Sequence, residues 1–243
     1  MPTLLESVIA AHGGQERWDQ FTTLTARYQV GGPFWLSKGQ PGLLGDELVV
    51  ADTRSEKIRF TRQDEQQAGR VIEFDNDVLR VQVTDASGGL IAEWRDPRAS
   101  FLGLDSNSRW DVPQTAYFIS YATWHYLTEP FLFAYPGVQT SEIEPWAEDG
   151  QTWRVLRVTY PENIATHNPT ELYYFDSNFM QRRMDYQPEV NGFSPTAHYQ
   201  YAEQVFDGIV IPTQRRIHHR RADRTADRSI AYITLDLSDV KFS

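Results

Sequence analysis

Between residues 22 and 242 the chain is a succession of short runs that alternate apolar and polar side chains, and the alternation fails only once, for about forty residues. A period of two is the mark of strands with one buried face. The chain must therefore build a sheet from two sets of strands and use the intervening stretch to cover it. The first set reads TTLTARYQV, DELVVADT, KIRFTRQ, GRVIEFD, DVLRVQVT and LIAEWR, broken by Gly31-Gly32-Pro33, Gly45-Asp46, Asp75-Asn76-Asp77 and Ser87-Gly88-Gly89. These residues favour tight turns, so antiparallel neighbours are expected. The second set reads SEIEPW, QTWRVLRVTY, ELYYFDS, MQRRMDY, TAHYQYAEQVF, IVIPTQRRIHH and IAYITLDLSDVKF. No repeat of 20 to 50 residues and no low-complexity linker interrupts the pattern. One domain over residues 1–243 is expected, mainly β with some α: a curved, half-open antiparallel β-barrel with helices on its open side.

The stretch between the two sets contains TAYFISYATWHYLTEPFLFAY, residues 115–135, with eight aromatic residues and the single charge of Glu129. Asp111 is a good N-cap, Pro113 suits a first turn and Gln114 can close a capping box, so a helix is predicted up to Thr128. Glu129 precedes Pro130 and should leave the helical region. Fifteen or so helical residues are too few to cross a bilayer, which takes about 20. The rings of this helix are better placed as the lid and inner wall of the barrel. Whether they fill the interior or line a cavity is left open by the sequence. Tyrosine and histidine tips favour a cavity, because buried polar groups need partners.

Composition narrows the function. With no cysteine, disulfides, thiolate nucleophiles and cysteine metal sites are excluded, and a net charge of −10 argues against nucleic acid. No catalytic or nucleotide-binding motif occurs, so no cofactor is expected. The N-terminus MPTLLESVIAAHGG lacks a basic region and a cleavage pattern. Thr3 and Glu6 form a T-x-x-E capping box for a short helix that ends at Gly13-Gly14. A cytoplasmic location is the expectation, unless a signal has been removed.

The C-terminal hairpins LYYFDSNFMQRRMDYQPEV and AHYQYAEQVFDGIVIPTQRR, with the last strand ITLDLSDVKFS, resemble the closing strands of the LolA-like outer-membrane lipoprotein sorting proteins. The resemblance is clear over residues 171–243 and holds in outline from Trp18. It implies an incomplete, curved barrel plugged by helices, with an apolar cavity for lipid chains or other hydrophobic molecules. The absence of a lipoprotein cysteine sets this chain apart from a lipoprotein shuttle.

Candidate site residues follow from the helix and the histidines. Phe118, Tyr121, Trp124, His125, Phe131, Phe133 and Gln200 are expected to touch a ligand. His125, on the aromatic helix, His167, in the loop PENIATHNP, and His198, in phase with Gln200 on its strand, are the candidates for acid or base chemistry, with Tyr121, Tyr199 or Asp185 as partner. No metal site is expected. His12 should complement the C-terminus of the first helix as a cation. The run RRIHHRRADRTADR, at +4, reads as a solvated hairpin, with Arg215, Arg216, Arg220 and Arg221 as a possible contact for an anion or a partner. The expected function is a soluble binding protein for a hydrophobic or aromatic small molecule or lipid; the alternative is a cofactor-independent isomerase, cyclase, dehydratase or hydrolase that uses a cavity histidine.

Overall fold

The computed structural model describes residues 2–65 and 67–243. All fourteen strands belong to one antiparallel sheet. The first six form a meander: β1 Thr23–Gly31, β2 Asp46–Asp52, β3 Lys57–Arg62, β4 Val71–Asp75, β5 Arg80–Thr84 and β6 Leu90–Arg95. A second meander follows: β7 Gln139–Glu148, β8 Gln151–Thr159, β9 Thr170–Phe175, β10 Gln181–Tyr186, β11 Thr196–Phe206 and β12 Ile209–Arg220. The two-residue β13 Ala226–Asp227 pairs only with β12. The last strand, β14 Ile233–Phe242, lies between β1 and β12 and joins the two halves, giving the order 6-5-4-3-2-1-14-12-11-10-9-8-7. The sheet is not closed, because β6 and β7 are its two opposite edges.

That order forces the central feature of the fold. The chain leaves one edge at β6 and re-enters at the other edge at β7, so the connection must cross the curved sheet. It does so as helix α4, Val112–Thr128. Asp111 and Gln114 form the capping box at its start, and Glu129, extended, ends it before Pro130. Every residue of α4 from Pro113 to Thr128 is buried, so the helix is the filling of the half-barrel and not a lid exposed on one side. It packs against β3 to β6, and Trp124 donates to the Asp52 carbonyl at 2.8 Å.

The remaining helices are short: α1 Leu4–Ala11, α2 Gln15–Trp18 and α3 Phe34–Ser37. Trp18 stacks on Phe131 with ring centres 4.4 Å apart, pinning the N-terminal segment to the turn that follows α4. Gly13, at φ +116°, lets α1 dock on the β11–β12 hairpin; a Cβ there would stand 2.2 Å from the Gly208 carbonyl oxygen. His12, expected as a cation at the helix C-terminus, is buried, with Nδ1 on the Val8 carbonyl at 2.8 Å. Burial lowers its pKa, so it is neutral.

Alternation places the side chains as expected over most of the sheet, including three charged ones on the inner face. Glu47 binds Arg62 and Arg70 there at 3.2 and 2.6 Å. A second, smaller core lies on the outer face of the C-terminal half, made of Trp153, Val155, Tyr174, Ala197 and Tyr199. The arginine-rich run does not form a free basic patch. Arg215 is buried on the inner face, while Arg216, Arg220 and Arg221 pair with Asp236, Asp185 and Asp227.

Because α4 is buried all round, its start should matter to the whole domain. Asp111→Ala removes the capping box and should cost about 1 kcal/mol. The check is a lower urea midpoint at unchanged slope; an unchanged midpoint would mean that packing alone sets the helix start.

Candidate functional site

The polar tips of α4 converge on one loop. Residues 160–169 cross the open side between β8 and β9, and they are tied to both halves of the sheet. Glu56, after β2, accepts from the Ala165 amide at 2.8 Å, and Asn76 donates to the Asn163 carbonyl at 2.9 Å. On the other side Thr166 donates to Glu171 at 2.6 Å, and Tyr160 meets the Tyr173 hydroxyl at 2.7 Å. His167 is thereby held against α4. Its Nδ1 lies 3.0 Å from the Tyr121 hydroxyl and its Nε2 lies 2.8 Å from that of Tyr126. Its ring stacks on Tyr186 at 4.0 Å, and the Tyr186 hydroxyl is 3.1 Å from that of Tyr126. A neutral imidazole has one donor and one acceptor, so one tyrosine donates to His167 and the other accepts. Burial pushes the His167 pKa well below its usual value, and burial raises those of Tyr121 and Tyr126.

His198, inward on β11, adjoins this network: its ring centre is 4.6 Å from Tyr126 and 6.2 Å from Tyr186. Neither of its nitrogens has a hydrogen-bond partner among the described residues. His125 is separate. It packs on Tyr160 and Trp124, its Nε2 is unpartnered, and burial lowers its pKa to about 3. The three histidines thus do not share one centre; His167 and His198 flank Tyr126. Among the described residues no group of three histidine or carboxylate side chains is arranged to hold a metal.

The other sequence-derived candidates separate by face. Tyr199 and Asp185 cannot partner His198, because neighbours along a strand point to opposite faces. Asp185 sits in the outer cluster, accepting from Arg183 at 2.6 and 2.8 Å and from Tyr174 at 2.8 Å. Tyr199 donates to Glu148 in the same cluster. Trp124, Phe131 and Phe133 are part of the packed core; Phe133 meets Tyr173 at 4.4 Å. Gln200 and Tyr121 are inward and fully buried.

Phe118 reaches a cleft. A cavity of about 370 Å³ opens between α3, the loop 104–110, α4 and the ends of β10, β11, β12 and β14. Its apolar wall is Phe34, Phe118, Ile217, Ile233 and the face of Tyr186, and its rim carries Ser37, Asn107, Ser194 and His219. Tyr186 therefore links the cleft to the buried network. A second cleft of about 350 Å³ lies on the other side of the loop 160–169, beside Pro97, Arg98, Tyr117 and Ile164.

Sequence reasoning missed Tyr126, Tyr186 and Glu129 as site residues, and took Arg215, a possible anion or partner contact, for part of a solvated hairpin where the structure buries it. For Arg215 and Tyr186 the signal was present: Ile211, Thr213, Arg215 and Ile217 share one strand face, as do Met184 and Tyr186. Gln181 also faces inward, because a register shift between Gln181 and Arg183 turns both arginines 182 and 183 outward, where they pair with Asp176 and Asp185. Glu129 accepts from Gln181 at 3.0 Å and lies 3.7 Å from Arg215. Burial raises its carboxyl to about 7, against the pull of Arg215, Gln181, Tyr173 and Gln200.

A histidine buried neutral takes up its proton only on unfolding, so it costs stability below its unfolded pKa near 6.5. For His125, held at about 3, the loss between pH 7 and pH 5 amounts to about 2 kcal/mol. His125→Leu should remove that loss, so parent and variant, compared by urea unfolding at both pH values, should diverge by that amount. Equal pH dependence would mean that His125 is protonated in the fold.

No protein-family model and no curated protein matches the chain. Solved structures do. A LolA superfamily protein of Nitrosomonas europaea superposes with a TM-score of 0.53 at 11% identity, over 100% of this chain and 94% of that one. A DUF1329 family protein of Desulfovibrio piger gives 0.53 at 10% identity over 99% and 92%. A domain of Vibrio parahaemolyticus, described as an outer membrane lipoprotein-sorting protein, gives 0.54 at 10% over 99% and 91%. These likenesses overturn the cytoplasmic location expected from the N-terminus. The residues that carried that expectation form α1, whose docking on the domain reports packing and not compartment. The chain has the LolA-like fold, an open antiparallel half-barrel closed around a buried helix.

Proposed function

We propose that the protein binds a hydrophobic or aromatic small molecule or a lipid in the cleft between α3, α4 and the ends of β10 to β12 and β14. The observation that carries this reading is the cleft itself. Its volume, about 370 Å³, is in the range of small-molecule sites, and it joins an apolar wall of Phe34, Phe118, Ile217 and Ile233 to polar side chains that include Asn191, Thr196 and His218. An apolar wall with a few oriented polar groups favours an apolar ligand with one polar end. The name of the Vibrio neighbour, a lipoprotein-sorting protein, agrees with this ligand class.

Binding is favoured over acid or base chemistry at His167 and His125. Both nitrogens of His167 are engaged by tyrosine hydroxyls, and a general base needs a free nitrogen within reach of its substrate. His125 is enclosed by Trp124 and Tyr160 and is not on the cleft wall. The Tyr121–His167–Tyr126–Tyr186 chain holds the wall of the cleft in one shape.

An uncharged fluorescent probe, N-phenyl-1-naphthylamine, should bind with a blue shift and be displaced by the natural ligand class. Ser194→Trp fills the cleft from its rim without touching the core, and should weaken binding by roughly tenfold, about 1.4 kcal/mol, at unchanged thermal stability. Undiminished binding in that variant would place the ligand elsewhere, and loss of binding on Ile164→Arg would point to the second cleft.

A further inference from the structure

The strands that form the cleft wall continue inward to a row of polar side chains that the protein itself leaves without partners. On β11 the inward positions run from Thr196, at the cleft, through His198 to Gln200. On the neighbouring β12 they run from Ile217, at the cleft, to Arg215. His198 is registered with Ile217 and Gln200 with Arg215, so the row begins directly behind the inner end of the cleft, whose lining stops at Thr196, Ile217 and Tyr186. Two residues of strand advance about 6.7 Å, so the end of the row lies roughly 13 Å in from Thr196. Tyr186 lines the cleft and its ring also meets His198, so it is the side chain at the join.

His198, Gln200 and Arg215 are all at least 98% buried. The unpartnered atoms are Nδ1 and Nε2 of His198, Nε2 of Gln200, and Nε and Nη1 of Arg215. Arg215 spends Nη2 on the Tyr126 carbonyl, and its one ion-pair partner among the described residues, Glu129, is 3.7 Å away. Gln200 is near enough to Glu129 to lower its pKa, yet its amide nitrogen has no acceptor in hydrogen-bond geometry. A buried donor without an acceptor destabilises the fold, more so when charged. The imbalance has a sign: the row offers N–H donors from Arg215 and Gln200 and one from neutral His198, against one free carboxyl oxygen on Glu129 and the unpartnered hydroxyl of Tyr28, which lies near Arg215. What it lacks is acceptor oxygen.

We infer that the row His198, Gln200 and Arg215 receives the carboxylate head of an amphipathic acid whose apolar chain lies outward along the cleft. This rests on the cleft reading above and adds to it the class of head group and the direction of the ligand, head inward. The free Nε and Nη1 of the guanidinium point to different sides, so either can give a carboxylate oxygen one charge-assisted hydrogen bond, beside the Gln200 amide. Glu129, which burial brings to about 7, holds a proton readily and then leaves the guanidinium to the ligand.

The test compares dodecanoate with dodecanol, by calorimetric titration and by displacement of N-phenyl-1-naphthylamine. The parent should bind dodecanoate at least tenfold more tightly than dodecanol. Removing Arg215 alone would leave Glu129 buried without its partner, so the informative variant is Arg215→Met with Glu129→Gln, checked for native circular dichroism. It should lose the preference for dodecanoate and keep dodecanol binding; Gln200→Leu should reduce the preference in part. Equal binding of acid and alcohol by the parent, or an unchanged preference in the double variant, would overturn the inference while leaving the apolar site intact. If neither molecule binds nor displaces the probe, both the inference and the cleft reading fall. Should the double variant not fold, Arg215→Lys serves: it keeps the charge but not the Nε donor, and should lower the preference for dodecanoate severalfold, an unchanged preference again contradicting the inference.

Discussion

A helix buried on every side is the constraint on which the rest of this structure depends. An ordinary surface helix shows water its polar face, but α4 has none to show, because the chain order sends it across the inside of an open sheet from one edge strand to the other. Its hydroxyls and ring nitrogens can then be met only by the protein, and Ser120 Oγ, Thr123 Oγ1 and His125 Nε2 find no partner among the described residues. Tyr121 and Tyr126 are met by His167, and His167 is met there only because Glu56, Asn76 and Glu171 fix its loop. The cap at Asp111, the stack of Trp18 on Phe131 and the network around His167 are consequences of one topological fact.

The same fact explains where space is left. The middle of the half-barrel is packed with the rings of α4 and of the turn after it. Room remains beside the first half of α4, where Phe118 and the strand ends of β10, β11, β12 and β14 separate. Binding at such a place uses strands that the sheet already holds rigid, with a tyrosine and histidine chain setting the position of the inner wall.

Much of the fold was legible in the sequence, because alternation and turn residues are local signals. Both strand sets, the N-cap at Asp111 and the break at Glu129-Pro130 lie where local chemistry puts them. The order of strands is not local: the insertion of β14 between β1 and β12 depends on residues two hundred positions apart, and the likeness to the sorting proteins was needed to expect a half-barrel. Of the site, His198 and Gln200 were readable as an inward pair. Tyr199 and Asp185 were misjudged as partners for the inner face although their phase on the strands excluded it. The burial of Arg215 was hidden by its place in an arginine-rich run, whose charge suggested water; only its phase with Ile217 marked it as an inner residue. His167 lay in a loop without periodicity, so nothing in the sequence could aim its ring at Tyr121 and Tyr126.

The claim at the centre of this account is that a ligand's apolar chain lies along the cleft wall. Photolabelling with an alkyl diazirine carboxylic acid, followed by mapping of the modified peptides, tests it most directly. Insertion at Phe118, Ile217 or Ile233 is the expected result; insertion confined to Ile164 and Pro97, or scattered over the outer face of the sheet, would contradict it.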